Sequence, residues 1–189
     1  MYVVKFTPSK FLTYSLHIAC NNQALTVTEN IKFLGKYLDC HLTWKSHIDN
    51  LVNELSSICF MLRKLLPIVN LKMLRMVYFE HFYLQISYGL IIWGSTSSMR
   101  NVFIIQGRAI RIMLRLGPRS SHRGGCRKLD VLTASCLYIY GLILFAVKNL
   151  NICQTTSSVH GMNTRQQNKL HIHSVRLSSM QRGCLICFC

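Results

Sequence analysis

Apolar positions in this chain first alternate and then recur at helical spacing. Tyr2–Phe6 is closed by Thr7-Pro8, Tyr14–Ile18 alternates, Asn21-Asn22 supplies a turn, and Ala24–Val27 follows. Ile31–Leu34 then meets Gly35, which suits a bend or close backbone approach. This pattern predicts short strands in a small antiparallel meander. From Trp44 the period changes. Ile48, Leu51, Val52, Leu55, Ile58, Cys59, Leu62 and Leu65 fall on one helical face until Pro67, with Thr43 as a plausible N-cap. A second run behind Asn70 places Leu71, Leu74, Tyr78, Phe82, Gln85, Ile86 and Gly89 along one side and ends near Trp93-Gly94. It predicts one long helix. A third helix is expected from Met99 to Leu116, between the Ser95-Thr96-Ser97-Ser98 cluster and Gly117-Pro118.

Val131–Val147 carries no charge and raises the question of a membrane span. At about 1.5 Å per residue its reach is at the short limit for a bilayer core. Thr133, Ser135, Tyr138, Tyr140 and Gly141 within it favour an ordinary buried helix. Past Leu150 the composition turns to Gln, Asn, Ser, Thr and His, without apolar periodicity until the Cys-rich ending. The expected organisation is a β segment over 1–42, a helical bundle over 43–150 and a loose polar tail over 151–189. The fold class is α+β, mostly α.

Charge adds a partner. The 189 residues hold 22 Lys and Arg against 6 Asp and Glu, a net +16. That excess is far beyond what solubility needs and points to a polyanion. Thirteen of the bases and one acid fall after residue 80, so the second part of the chain is the electrostatic one. The six carboxylates, Glu29, Asp39, Asp49, Glu54, Glu80 and Asp130, include no adjacent pair. Chemistry that uses paired acids or two metal ions is therefore not expected from them. Nine cysteines at irregular spacing, with no apolar leader behind a basic start, suggest free thiols in a reducing intracellular compartment, nucleus or cytoplasm, rather than secretion.

Arg108, Arg111 and Arg115 stand at i, i+3 and i+7, a row of guanidinium groups on one helical face. Arg119, Arg123, Arg127 and Lys128 extend it through a Gly/Ser-rich loop. Arg forks suit phosphate oxygens and give affinity without base specificity. The bland alternative is a solvated basic face, although such faces usually mix signs. His171-x-His173 and Cys184-x-x-Cys187-x-Cys189 hold half of a zinc-finger spacing, with no second half to close it. No metal site is expected. No glycine-rich phosphate loop or nucleophile elbow occurs.

Asn30-Ile31-Lys32-Phe33-Leu34-Gly35-Lys36-Tyr37-Leu38-Asp39 and Leu42-Thr43-Trp44-Lys45-Ser46-His47-Ile48 strongly resemble the reverse transcriptases of jockey-like non-LTR (LINE-type) retrotransposons. The match continues through Ser87-Tyr88-Gly89-Leu90-Ile91-Ile92-Trp93-Gly94 and Ile105-Gln106-Gly107-Arg108-Ala109-Ile110-Arg111, in order and at the family's spacing. The resemblance covers about residues 1–180. It implies that residues 1–38 correspond to the end of the polymerase palm. Phe33-Leu34-Gly35 would be the primer-grip hairpin, and residues 44–116 the helical thumb and the region after it.

The chain departs from the family in three places. It has no Asp-Asp dipeptide, so the two-metal centre cannot be built from it. Gly107 stands where the family usually has Lys, and Gly costs a helix interior about 1 kcal/mol relative to Ala. The ending after Gln181-Arg182 also differs.

The resemblance implies descent from an RNA-directed DNA polymerase, a nucleotidyltransferase, with polymerase activity absent from this chain alone. No cofactor is expected here, since Mg²⁺ belongs to the missing palm. The expected partners are an RNA template, an RNA–DNA hybrid and an upstream palm domain, with contacts at Lys32, Phe33, Leu34, Gly35, Arg108, Arg111, Arg115, Arg119 and Arg123. A membrane is not the expected partner. The alternative is a small basic membrane-associated helical protein that docks anionic lipid through Val131–Val147 and the surrounding Lys and Arg.

Overall fold

The computed structural model describes residues 2–6, 19–20, 23–24, 26–150, 158–159, 161 and 165. The expected Tyr14–Ile18 strand, the Asn21-Asn22 turn and the His171–Cys189 cluster lie outside these residues. The described chain is α+β and mostly α. Six short strands come first: β1 (Tyr2–Val3), β2 (Ala19–Cys20), β3 (Gln23–Ala24), β4 (Thr26–Val27), β5 (Asn30–Phe33) and β6 (Lys36–Asp39). They form three separate two-stranded sheets rather than one meander. β2–β3 and β5–β6 are antiparallel, whereas β1 runs parallel to β4. A parallel pair needs a long crossover between its two strands.

β5 and β6 make a hairpin whose loop is Leu34 and Gly35, with φ of 46° and 76°. Two successive positive φ values match a type I′ turn, whose twist suits the flanking strands. Glycine is needed here for its backbone, because a Cβ on Gly35 would meet nothing within 4 Å.

α1 (Lys45–Leu65) buries His47, Ile48, Leu51, Leu55, Ile58, Cys59 and Leu62, the face its periodicity predicts. Its start is made differently from the expectation. Trp44 holds the N-cap position at φ 61° without a side-chain bond, and Thr43 offers only a long 3.4 Å contact to the Lys45 amide. The Asp39 carboxylate, at the end of β6, organises this entry. It accepts from the Thr43 amide (2.9 Å), the Thr43 hydroxyl (2.8 Å) and the Trp44 amide (3.0 Å).

The second helical run is segmented. α2 (Leu71–Val77), capped by Asn70 accepting from the Met73 amide at 2.9 Å, passes into a π-helical turn over Tyr78–Tyr83 and then α3 (Leu84–Ser87). Leu74, Tyr78, Phe82, Ile86 and Leu90 are all buried at strict four-residue spacing. In an α-helix such a row drifts by about 40° per step. Wider π winding turns back against that drift and keeps the row facing the core. Tyr88 is extended, Gly89 is left-handed at φ 69°, and α4 (Leu90–Trp93) begins there.

α5 (Met99–Met113) packs lengthwise on α1. It ends before the expected Leu116. The Leu116 amide donates to the Arg111 carbonyl (2.9 Å) and the Arg115 amide to Ile112 (3.1 Å), with Arg115 at φ 53°. That is a Schellman ending with Arg115 in the position usually held by Gly. α6 (Arg123–Lys128) and α7 (Ala134–Lys148) complete the bundle.

α7 crosses α4 closely. A Cβ on Gly94 would stand 2.4 Å from a Tyr138 ring carbon, and one on Gly141 3.2 Å from Ile91. Ile139, Tyr140, Ile143 and Val147 remain exposed on its outer side. Among the described residues, no helix is long and apolar enough to cross a membrane.

One buried polar group joins three elements. The Gln106 amide donates to the Tyr78 hydroxyl and the Leu132 carbonyl, both at 2.9 Å, and its oxygen accepts from the Ala134 amide at 2.7 Å. Gln106 thus ties α5 to the π turn and to the start of α7. Burial raises the Tyr78 hydroxyl well above its ordinary pKa, against the lowering effect of the Gln106 bond.

Candidate nucleic-acid interface

The candidate residues fall into two groups on different elements. Lys32, Phe33, Leu34 and Gly35 form the tip of the β5–β6 hairpin. Leu34 is 71% exposed and Phe33 59%, an unusual display of apolar surface. The Lys32 ammonium lies 5.3 Å from the ring centre of its cross-strand partner Tyr37. The hairpin is seated on the break between α3 and α4. The Tyr88 hydroxyl donates to the Leu34 carbonyl at 3.1 Å, and the Lys36 ammonium stands 4.4 Å from the Tyr88 ring centre. Gly89 admits this seat, since a Cβ there would come within 3.2 Å of the Lys36 stem.

Arg108, Arg111, Arg115, Arg119 and Arg123 belong to α5 and the segment that leads from it into α6. Arg108 is exposed, and Arg111 is half-buried one turn further along. Arg115 departs from the expected row. It lies past the helix end, and its guanidinium donates to the Leu66 carbonyl at 3.1 Å, closing the C-terminus of α1. Arg119 and Arg123 are exposed in the loop and at the start of α6.

Arg100, which the sequence pattern left unremarked, extends the exposed stripe of α5 through Ile104 to Arg108 at four-residue steps. Its spacing was the signal. Arg63 on α1 was also missed. Both Arg63 and Arg108 act on buried Cys59, whose thiol burial raises to about 11 against the opposing pull of the two charges.

Among the described residues, no carboxylate pairs with this charge. Arg100, Arg108, Arg111, Arg119 and Arg123 make no ion pair among the described residues. The pair that does form there joins Arg75 to Asp130 at 3.8 Å on other elements. His122 reports the field, since burial lowers its pKa and the Arg111 and Arg123 charges lower it further.

The His122 ring also explains Gly107. It stands edge-on to Phe103 with centres 5.0 Å apart, and a Cβ on Gly107 would lie 2.9 Å from its Nδ1. The ring occupies the space that a lysine at 107 would need. Gln106, the neighbour of Gly107 in the same motif, is a core tie rather than a contact residue.

The chain matches no protein-family model, no curated protein and no solved structure. The chemistry therefore rests on the residues alone. An unpaired row of planar cations on one helix and the loop beyond it can hold the phosphates of a nucleic-acid backbone. Asp39, fully engaged at the start of α1, is not a free carboxylate for catalysis. Three bonds from neighbouring groups hold its pKa below the ordinary carboxylate value, although burial pushes it up.

Proposed function

We propose that this chain is the primer-grip and thumb portion of a non-LTR retrotransposon reverse transcriptase, without the Asp-Asp palm, and that it holds an RNA–DNA hybrid by its backbone. The observation that carries the reading is the unpaired arginine face of α5 and the adjoining loop, Arg100, Arg108, Arg111, Arg119 and Arg123. Supporting it is the placement of the stretches that carry the resemblance. The hairpin of Phe33-Leu34-Gly35 sits on Tyr88 of the Ser87–Gly94 stretch, Asp39 opens the helix of the Thr43–Ile48 stretch, and Gln106 closes the core.

Holding through phosphates is electrostatic, so affinity falls linearly with the logarithm of salt, by about 0.9 per neutralised phosphate on a duplex. The test is hybrid binding by the full chain across a salt series. Replacing Arg108, Arg111 and Arg123 by Gln should weaken binding and flatten the slope. Binding that ignores salt would count against the reading. Template-directed incorporation with Mg²⁺ or Mn²⁺ should stay at the level of a heat-killed control.

A further inference from the structure

The segment that joins α5 to α6 belongs to no helix or strand, and every residue over 115–121 is exposed. The first turn of α6 stands open as well, since a Cβ on Gly124 would meet nothing within 4 Å. Two serines lie in this segment. The Ser120 amide donates to the Gly117 carbonyl at 3.0 Å and closes a turn. The Ser121 hydroxyl stands 3.4 Å from the Arg123 amide, longer than a good N–H···O bond, so that contact leaves the hydroxyl available.

Ser121 has Arg119 two residues before it and Arg123 two residues after it. Two residues span at most about 7 Å of backbone, so both guanidinium groups can reach a group on Ser121. Neither makes an ion pair among the described residues.

An exposed hydroxyl in an irregular segment, flanked on both sides by cations, suits the acidic cleft of an arginine-directed serine kinase, because charge pattern is one way kinases choose substrates. The product would act on the arginine face itself. A phosphoserine carries about −1.5 to −2 charges at neutral pH and three acceptor oxygens, which arginine forks bind in pairs. It would supply the counter-charge that the described carboxylates do not.

We propose that Ser121 is a phosphorylation site for an arginine-directed serine kinase, and that its phosphate draws Arg119 and Arg123 off nucleic acid. Ser121 Oγ attacks the γ-phosphorus of ATP, the bond from that phosphorus to the β,γ-bridging oxygen breaks, ADP leaves, and the hydroxyl proton passes to a base of the kinase. The site stands on the loop alone, whereas its effect rests on the reading of the arginine face. Two arginines withdrawn at about 0.9 per phosphate contact lower the salt slope by about two.

The test treats the full chain with an arginine-directed serine kinase and ATP, locates phosphate by mass spectrometry, and then measures RNA–DNA hybrid binding across a salt series. Phosphate is expected on Ser121, retained in Ser120→Ala and lost in Ser121→Ala. Near 0.1 M salt the phosphorylated chain should bind hybrid about tenfold to a hundredfold more weakly, with the slope lower by about two. Phosphatase treatment should restore both, which separates the charge effect from damage to the chain. No phosphate on Ser121, or a hybrid affinity and slope that stoichiometric phosphorylation leaves unchanged, would overturn the proposal. Phosphate on Ser121 in a chain whose unmodified form shows no salt-dependent hybrid binding would instead remove the reading of the arginine face and keep the modification site.

Discussion

The two ends of α1 differ in what they do with charge. At the N-terminal end, Lys36 and Glu54 line a groove together with a buried neutral histidine, Asp39 stands at the helix start, and each charge has a task. Asp39 organises the helix start, Lys36 covers Tyr88, and Glu54 raises the Lys36 pKa against the burial that lowers it. At the C-terminal end, Arg63 and Arg108 approach Cys59 without any acid, and Arg115 closes the helix by a neutral carbonyl. The first end is a structural joint. The second has surplus charge that no ion pair among the described residues consumes, and the proposed nucleic-acid contact rests on that surplus.

The largest expected effect comes from removing the tie that joins α5 to the π turn and to the start of α7. Gln106→Leu leaves the Tyr78 hydroxyl, the Leu132 carbonyl and the Ala134 amide without their shared partner. Each buried group left unpaired costs about 1–3 kcal/mol, so the expected loss is about 3 kcal/mol or more in urea unfolding. A loss under about 1 kcal/mol would mean that the network is dispensable.

Next in size is the pH response of the N-terminal end. His47 in the folded chain has a pKa near 4, below the ordinary 6.5, so the unfolded chain takes up its proton first as pH falls. The contribution is complete above about 6.5 and is lost through the window down to about 4, for a total of order 3 kcal/mol. Unfolding free energies measured across that window should show the slope in the wild-type chain. His47→Phe should flatten it, and an equal slope in both would place the titration elsewhere.

The C-terminal end is tested by its arginines. Arg108→Gln, Arg111→Gln and Arg123→Gln together should lower hybrid affinity by about tenfold to a hundredfold near 0.1 M salt and reduce the salt slope by about two to three. Arg115→Gln should instead act on stability, because its guanidinium serves the Leu66 carbonyl. The smallest expected effect is Asp39→Asn. It keeps an acceptor but loses the charge-assisted bonds to Thr43 and Trp44, for about 1 kcal/mol of stability in thermal unfolding.

Much of the fold was legible in the period of the apolar residues. The buried face of α1 follows from spacing alone. The π turn was also written there, in the four-residue row from Leu74 to Leu90, but an ordinary α-helix tolerates a drifting row well enough to hide it. Gly117-Pro118 pointed to a helix end later than the real one, because Arg115 adopts the left-handed conformation that propensity assigns to glycine. Asp39 and Gln106 could not be read locally. Their partners come from a loop that must first turn back and from elements distant in the chain. Of the three arginines that spacing placed in one row, Arg108 lies exposed on α5, Arg111 is half-buried one turn on, and Arg115 was diverted by a carbonyl that the sequence could not place.

The most direct measurement is hybrid affinity of the full chain as a function of salt, with the arginine triple variant and Gln85→Leu measured alongside. A steep salt slope that falls in the triple variant and stays unchanged in Gln85→Leu is the predicted result. A slope near zero, or one equally steep in the triple variant, would contradict the assignment of the C-terminal end of α1 and the arginine face of α5 as the surface that holds nucleic acid.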